Sequence, residues 1–305
     1  MRFTEIITQK IDKIVLFFAL AVLSISLYLV YNLSQDYREK ETITSLDTML
    51  TFTKNMLEEE QQRALSLALL LSEDREVLDA YGANDRQRVF AIITRKIKRL
   101  EQMQGYHFEV QVHDRELKTY LRSWDFSIQG VPLASFREGL VLARKSGKPL
   151  VSIEVGKRLN IKAIAPILQN GRFQGSIEVI ESFGHLRKRL AEQGYRLYIL
   201  LDKRYLSIAT TLTHAPLVSG RYVLVGDVED REGLDALGSA SLEALGSFGY
   251  FTRLGHLFGY FDLRNYHNDR LGYLLITSVK RASPVEEVRH ETSSVEINRS
   301  GVIIR

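Results

Sequence analysis

The sequence predicts an α+β fold: a long N-terminal helical region that carries two antiparallel sheet modules, preceded by one transmembrane helix. Three observations predict it. Ile14 to Leu33 is a run of 20 residues without a charge, long enough to cross a bilayer as a helix. Residues 34–103 contain no proline and a single glycine, and so read as helix. Beyond residue 104, strand-like runs separated by turn signals fall into two groups, each with a helix inserted, the pattern of compact antiparallel α+β modules.

Composition narrows the function classes. The chain has 305 residues, of which 45% are hydrophobic, enough for one to three cored domains. The net charge of +4 is small beside 41 basic and 37 acidic residues, and no basic run stands out, so nucleic acid is not an expected partner. There is no cysteine, which excludes disulfides, thiolate zinc sites and cysteine nucleophiles. No Gly-rich phosphate loop, HExxH or GxSxG occurs, and neither an enzyme nor a cofactor is expected. His107 and His113 share a strand face but stand roughly 20 Å apart by the rise per residue, too far to share a metal.

From the N-terminus, residues 1–13 hold Arg2, Lys10 and Lys13, and Arg38 and Lys40 follow the 14–33 span among acids. This bias favours a cytoplasmic N-terminus and the bulk of the chain outside. Tyr28 and Tyr31 sit where interfacial aromatics belong. The alternative, a signal peptide cleaved after Ala19-Leu-Ala21, would leave only Ile14 to Phe18 as its apolar core. Over 34–103, a helical stalk, the residues Leu46, Leu50, Thr53, Leu57, Glu60, Ala64, Leu67 and Leu71 form a heptad seam flawed at Thr53 and Glu60. Such a seam either pairs with a second copy or packs on its own domain. Tyr81-Gly82-Ala83-Asn84-Asp85 marks a break with a fresh cap, and Gly105 can close the second helix.

The first sheet module covers 104–193. His107, Glu109, Gln111 and His113 alternate with Phe108, Val110 and Val112, a strand with one polar and one apolar face. After a turn at Asp114-Arg115, Tyr120, Arg122 and Trp124 fall two apart on one face of a second strand. An arginine between two large aromatics suits a small ligand with an anionic head and an apolar body. Pro132 and Ser135 can begin a short helix using Leu133, Phe136, Leu140 and Ala143, stopped by Gly147. Pro149–Val155, Ile161–Gln169 and Phe173–Glu181 read as strands, the last two joined at Asn170-Gly171. Phe183 to Gln193 reads as helix. Arg137, Arg158 and Lys162 are expected to be largely solvated, and Glu154 and Glu178 to pair with such bases.

The second module covers 194–280. Tyr195–Leu201, Tyr205–Thr211, Arg221–Gly226, Tyr250–Leu254, Phe258–Leu263 and Leu271–Ser278 read as strands, and Arg231–Leu245 as a weak helix interrupted by Gly233 and Gly238. Residues 281–305 form a polar tail, with no second apolar span expected.

Leu117-Lys-Thr-Tyr-Leu-Arg-Ser-Trp-Asp125, Ser135-Phe-Arg137, Glu154-Val-Gly156, Ala165-Pro166 and Gly175-Ser-Ile-Glu178 resemble the extracytoplasmic double Cache sensor domains of bacterial chemoreceptors, sensor kinases and diguanylate cyclases. The resemblance implies a long helix bearing a membrane-distal (104–193) and a membrane-proximal (194–280) module of PAS-like form, with the ligand in the distal one. By position Tyr120, Arg122 and Trp124 resemble the family's pocket-lining segment, and under the family's pattern for amino-acid ligands Glu178 or Asp125 could hold the ligand's amine; His113 and Arg137 are further ligand-binding candidates. The resemblance also implies a single-pass protein of the bacterial inner membrane with its bulk in the periplasm, taking part in signal transduction or chemotaxis. Such receptors usually continue into a second span and an output domain, so the chain is expected to be a truncated receptor or a tethered sensor acting through a partner protein. Two functions follow: a sensor that binds a small anionic molecule, or a membrane-tethered module that docks a protein partner and no ligand. The first expects a partly closed polar pocket around Arg122, the second that pocket filled by protein side chains.

Overall fold

The structure, a computed structural model, describes residues 2–135 and 137–278, with the side chains of 2–19, 35–36, 38–43 and 104 outside the description. Phe136, one of the predicted helix positions, and the predicted tail 281–305 therefore lie outside the described residues. The chain separates into two compact units, one within residues 1–49 and one beginning at Leu50.

Helix α1 (Arg2–Ser72) is continuous because none of its 71 residues is glycine or proline. The predicted span lies within it, with side chains described from Leu20 onward. Among the described residues no helix is long and apolar enough to cross a membrane. The predicted stalk breaks earlier than its glycine. Ser72 ends α1, and the Asp74 side chain accepts the Val77 amide at 3.1 Å to start α2 (Arg75–Gly82). Asp85 caps α3 (Arg86–Gln104) through the Arg88 amide, and Gly105 at φ 70° closes it.

From Leu50 to Leu71 every seam residue is buried within the chain, Thr53 and Glu60 included. Of the two predicted uses of the seam, the structure selects packing on its own domain; a homodimer built on this stripe would have to expose it. The flaw at Glu60 has a cause. Its carboxylate accepts from Arg63, from Arg189 at 3.1 Å and lies 2.8 Å from His185 Nδ1. Arg63 also donates to Glu181 at 2.9 Å and stacks 4.1 Å from the Tyr106 ring. A charged cluster replaces a leucine there.

The first sheet runs β2-β1-β5-β4-β3, all antiparallel. Its strands are β1 (Glu109–His113), β2 (Thr119–Arg122), β3 (Leu150–Val155), β4 (Leu159–Gln169) and β5 (Arg172–Glu181). Asn170 and Gly171, at φ 51° and 72°, make the β4–β5 turn that their sequence predicts. Helix α4 (Glu138–Ser146) begins three residues after Ser135, with Arg137 at its cap and Gly147 at φ 64° as its stop. Helix α5 (Gly184–Glu192) leads to the second sheet.

That sheet runs β7-β8-β6-β11-β10-β9, with β6 (Tyr195–Asp202), β7 (Leu217–Val218), β8 (Tyr222–Leu224), β9 (Phe248–Arg253), β10 (His256–Arg264) and β11 (Arg270–Ser278). Tyr198, Tyr222, Phe258, Tyr260 and Tyr273 pack on one face with Ala236 and Leu237 of α6 (Arg231–Gly238). The predicted strand Tyr205–Thr211 is instead two 3-10 turns, Lys203–Tyr205 and Thr210–Leu212. The reason lies outside the segment. The amide and hydroxyl of Thr211 both donate to the Lys157 carbonyl, at 3.2 and 2.6 Å, so these groups are spent on the β3–β4 turn. The predicted helix to Leu245 stops at Gly238 and resumes only as a 3-10 turn over Leu242–Ala244.

Candidate functional site

The first sheet has an apolar face and a polar one, and the pleat separates them. Val110, Val112, Ile177, Val179, Ala163 and Ala165 are buried on one side. The other side begins with a row across all five strands, Arg122, Gln111, Glu178, Ile164 and Leu150, each opposite the next. A second row is Glu109, Ile180, Lys162 and Ser152, and a third is His113, Ser176 and Pro166. Leu140 and Ala143 of α4 cover the apolar end, Ile164 and Leu150. The rest of the face is polar yet buried, which is costly unless the groups pair.

They do pair, around Arg137. It is 7% exposed, donates to Glu178, which is fully buried, and its Nε stands 3.5 Å from Glu154 Oε2. Lys162 Nζ lies 3.9 Å from the same Glu154 oxygen, and Ser152 donates to Glu154 Oε1 at 2.9 Å. His113 is fully buried, with Nδ1 3.0 Å from Ser176 Oγ and Nε2 3.6 Å from Glu178 Oε2. Burial, reinforced by Arg137, Arg122 and Lys162, holds the imidazole well below its ordinary pKa and so neutral. Burial first, then Arg137, brings Lys162 down to about 8. The expectation that Arg137 and Lys162 are solvated is corrected. Alternation of Lys162 with Ile161 and Ala163 put it on the polar face, but only the fold shows that α4 and its cap roof that face over. Arg158 is exposed as expected and pairs with Glu109.

Arg122 differs from its neighbours. Its guanidinium is half-buried, its Nε is buried without a hydrogen-bond partner, and it makes no ion pair among the described residues. Its described contact is the Trp124 ring, 5.7 Å away. Burial lowers its pKa, with Asp125 opposing. The three-residue face predicted for Tyr120, Arg122 and Trp124 does not form. β2 ends at Arg122, Trp124 lies in the following turn at 41% exposure, and a register shift between Val112 and His113 sets Tyr120 apart. Tyr120 packs edge-on against Tyr81, 4.9 Å between ring centroids. Asp125 sits outside the cluster, accepting from the amide and hydroxyl of Ser127. The structure thus brings together His113, Arg122, Arg137 and Glu178, adds Glu154 and Lys162, and leaves Tyr120, Trp124 and Asp125 at the margin.

Helix α2 holds this arrangement through Tyr81, whose single hydroxyl proton is shared between the carbonyls of His113 and Gln174, at 3.2 and 3.0 Å. The approach requires Gly175, where a Cβ would overlap both the Tyr81 hydroxyl and the His113 carbonyl. Gly175→Ala is therefore expected to cost about 1–3 kcal/mol by overpacking, read from urea unfolding; a loss below about 0.5 kcal/mol would mean that Tyr81 swings away and the His113 backbone shifts as well.

Comparison with known proteins agrees with this architecture. The profile of a double Cache family, described as the double sensory domain of two-component sensor kinase, matches residues 40–281. No curated protein matches. Among solved structures, the extracellular domain designated as that of the histidine kinase vpHK1S-Z8 superposes with a TM-score of 0.50 at 15% identity, covering 80% of this chain and 97% of that one. The sensor domain of the V. cholerae histidine kinase DctB gives 0.43 at 13% identity, over 77% and 95% of the two chains. The isoleucine-bound sensory domain of the Campylobacter jejuni chemoreceptor Tlp3 gives 0.47 at 12%, over 79% and 93%. With a family profile covering most of its length and a fold of two antiparallel sheets and a long helix, the chain belongs to the double Cache family of sensory domains.

Proposed function

We propose that the chain is a membrane-anchored extracytoplasmic sensor that binds a small anionic molecule on the polar face of its first sheet and passes the signal to a partner protein. The observation that carries this is Arg122: a half-buried guanidinium with an unpartnered Nε and no carboxylate paired with it among the described residues. A half-buried arginine with no ion-pair partner carries part of its desolvation cost in the empty protein, and an incoming carboxylate or similar anion offsets that cost by a charge-assisted, bidentate contact. Trp124, the exposed ring over which Arg122 lies, would offer such a ligand an apolar surface. The uncharged run Ile14–Leu33 supports the anchor, the family supports placement outside the cytoplasm, and 104–193 and 194–280 serve as the distal and proximal modules.

Thermal unfolding of the purified full-length chain against small carboxylates, amino acids and amines tests the reading. A ligand at about a hundred times its Kd adds about 2.7 kcal/mol and raises the midpoint. Arg122→Ala is expected to abolish the shift while changing the ligand-free stability by less than about 1 kcal/mol, since only a cation–π contact is lost. A second reading has its own support: Arg137 is already ion-paired with both Glu178 and Glu154, as in a module that docks a protein and binds no ligand. A panel without any shift would favour it.

A further inference from the structure

On the side of the first sheet away from Arg122, Glu181 takes no part in the proposed ligand face. It is 2% exposed, and Glu60 of α1 beside it is 1% exposed. Both carboxylates accept from the same nitrogen, Nη2 of Arg63, which meets Glu181 at 2.9 Å. Glu60 has other partners to turn to: Arg189 donates to it at 3.1 Å, and His185 Nδ1 stands 2.8 Å away. Glu181 has no second donor among the described residues. Its Oε1 is buried without a hydrogen-bond partner, as are Nε of Arg63 and the hydroxyl of Tyr106.

The titratable and charged groups gathered there are Glu59, Glu60 and Arg63 from α1, Tyr106 from the segment ahead of β1, Glu181 from β5, and His185 and Arg189 from α5. On β4 the residue opposite Glu181 is Ile161. An ionised carboxylate with one bare buried oxygen is costly, and a proton on that oxygen removes most of the cost. With the proton present, Arg63 can serve Glu60 fully while still touching Glu181. Without it, two buried anions compete for one guanidinium.

We propose that this cluster is a proton-operated latch. While Glu181 is protonated, Arg63 and α5 hold the 57–72 stretch of α1 against the first module; loss of that proton as pH rises loosens the hold. Helix α1 is continuous from that stretch back to Arg2, so the element released is the one that runs on into the N-terminal unit. The device answers pH whether or not a ligand occupies the opposite face of the sheet. Burial, the largest influence on Glu181, raises its carboxyl from 4.5 to about 7 against the pull of Arg63. The latch is therefore complete below pH 4.5, weakens as pH rises from there to 7, and is weakest above 7.

The chain has no cysteine, so Ala64→Cys, at a fully buried position of the α1 seam, gives a single thiol that reacts only when α1 lifts away. Ala236→Cys, equally buried on α6 in the second module, gives the reference. Each full-length variant is treated with a pyridyl disulfide between about pH 5 and 8. Its rate, divided by that of the same chain unfolded in urea at the same pH, is the opened fraction. The expected result is an opened fraction at position 64 that rises about tenfold per pH unit up to about pH 7 and then levels, one proton's worth. At about pH 8 it should exceed the fraction at position 236 by at least about tenfold. Glu181→Gln should flatten the rise. Glu60→Gln, which leaves Arg63 to Glu181 alone, should lower the pH of levelling by about one unit, and this arm decides the matter should the Glu181 variant fail to fold. An opened fraction at 64 independent of pH, or a levelling pH unmoved by Glu60→Gln, overturns the latch. Equal fractions at the two positions overturn it too, and leave Glu181 as a determinant of overall stability alone.

Discussion

Glu178→Ala should cost about 3–5 kcal/mol, the penalty of leaving a buried charge unpaired. The pair it breaks lies wholly inside the first module: Glu178 is fully buried, and Arg137 keeps only the looser contact of its Nε with Glu154 at 3.5 Å. Denaturant unfolding measures the loss directly. Replacing both partners by apolar residues, as in Arg137→Met with Glu178→Leu, should restore much of the stability, because burying two charges is itself expensive. That double variant should bind no anion. If Glu178→Ala costs less than about 1 kcal/mol, Arg137 has moved to Glu154 or to water.

Glu181 should make the protein lose stability as pH rises through neutrality. Burial raises its carboxyl to about 7 against the pull of Arg63, which is shared with Glu60. Burial also pushes Glu60 upward, but hydrogen bonds from Arg63 and His185 outweigh this and hold it low. One arginine cannot fully serve two acids. The other groups around Glu181 are Tyr106, whose hydroxyl is buried without a partner, and Arg189, turned to Glu59 and Glu60. A carboxyl whose pKa is higher in the folded than in the unfolded chain favours folding when protonated. Its contribution is complete below pH 4.5 and is lost as pH rises through 7, an effect of about 3 kcal/mol. Glu181→Gln, permanently neutral, should flatten the profile and exceed the wild type in midpoint above pH 7. A wild-type midpoint unchanged between about pH 5 and 9, or a glutamine variant weaker than wild type at about pH 9, would mean that Arg63 holds Glu181 ionised.

What could be read before folding was local. The alternation from His107 to His113 marked out a strand with one polar face, and Asn170-Gly171 a turn, because both depend on neighbouring residues alone. The break after Ser72 was hidden because no glycine or proline marks it; Asp74 makes it by capping. Periodicity places Trp124 on β2 because it cannot say where a strand stops pairing. Arg137 and Lys162 looked solvated because their burial depends on α4 closing over the sheet, and on acids such as Glu154 and Glu178 elsewhere in the module. Glu60 announced itself only as a flaw in a heptad; the cluster that explains it draws on Glu181, His185 and Arg189, all far along the chain. Arg122 was legible as a candidate, but its lack of any acid partner was not.

Glu178 and Glu181 are three apart on β5, an odd number on a structure of period two, so they point to opposite sides of one sheet. One meets Arg137 beneath α4, the other meets Arg63 of α1. The two contacts are thus joined by about 10 Å of extended backbone that cannot stretch. A slide of β5 by a few tenths of an ångström at one end is a slide of the same size at the other, with no relay of side chains between. Strand phase alone fixes the two contacts on opposite sides of the sheet, and inserting one residue between these acids would put both on the same side.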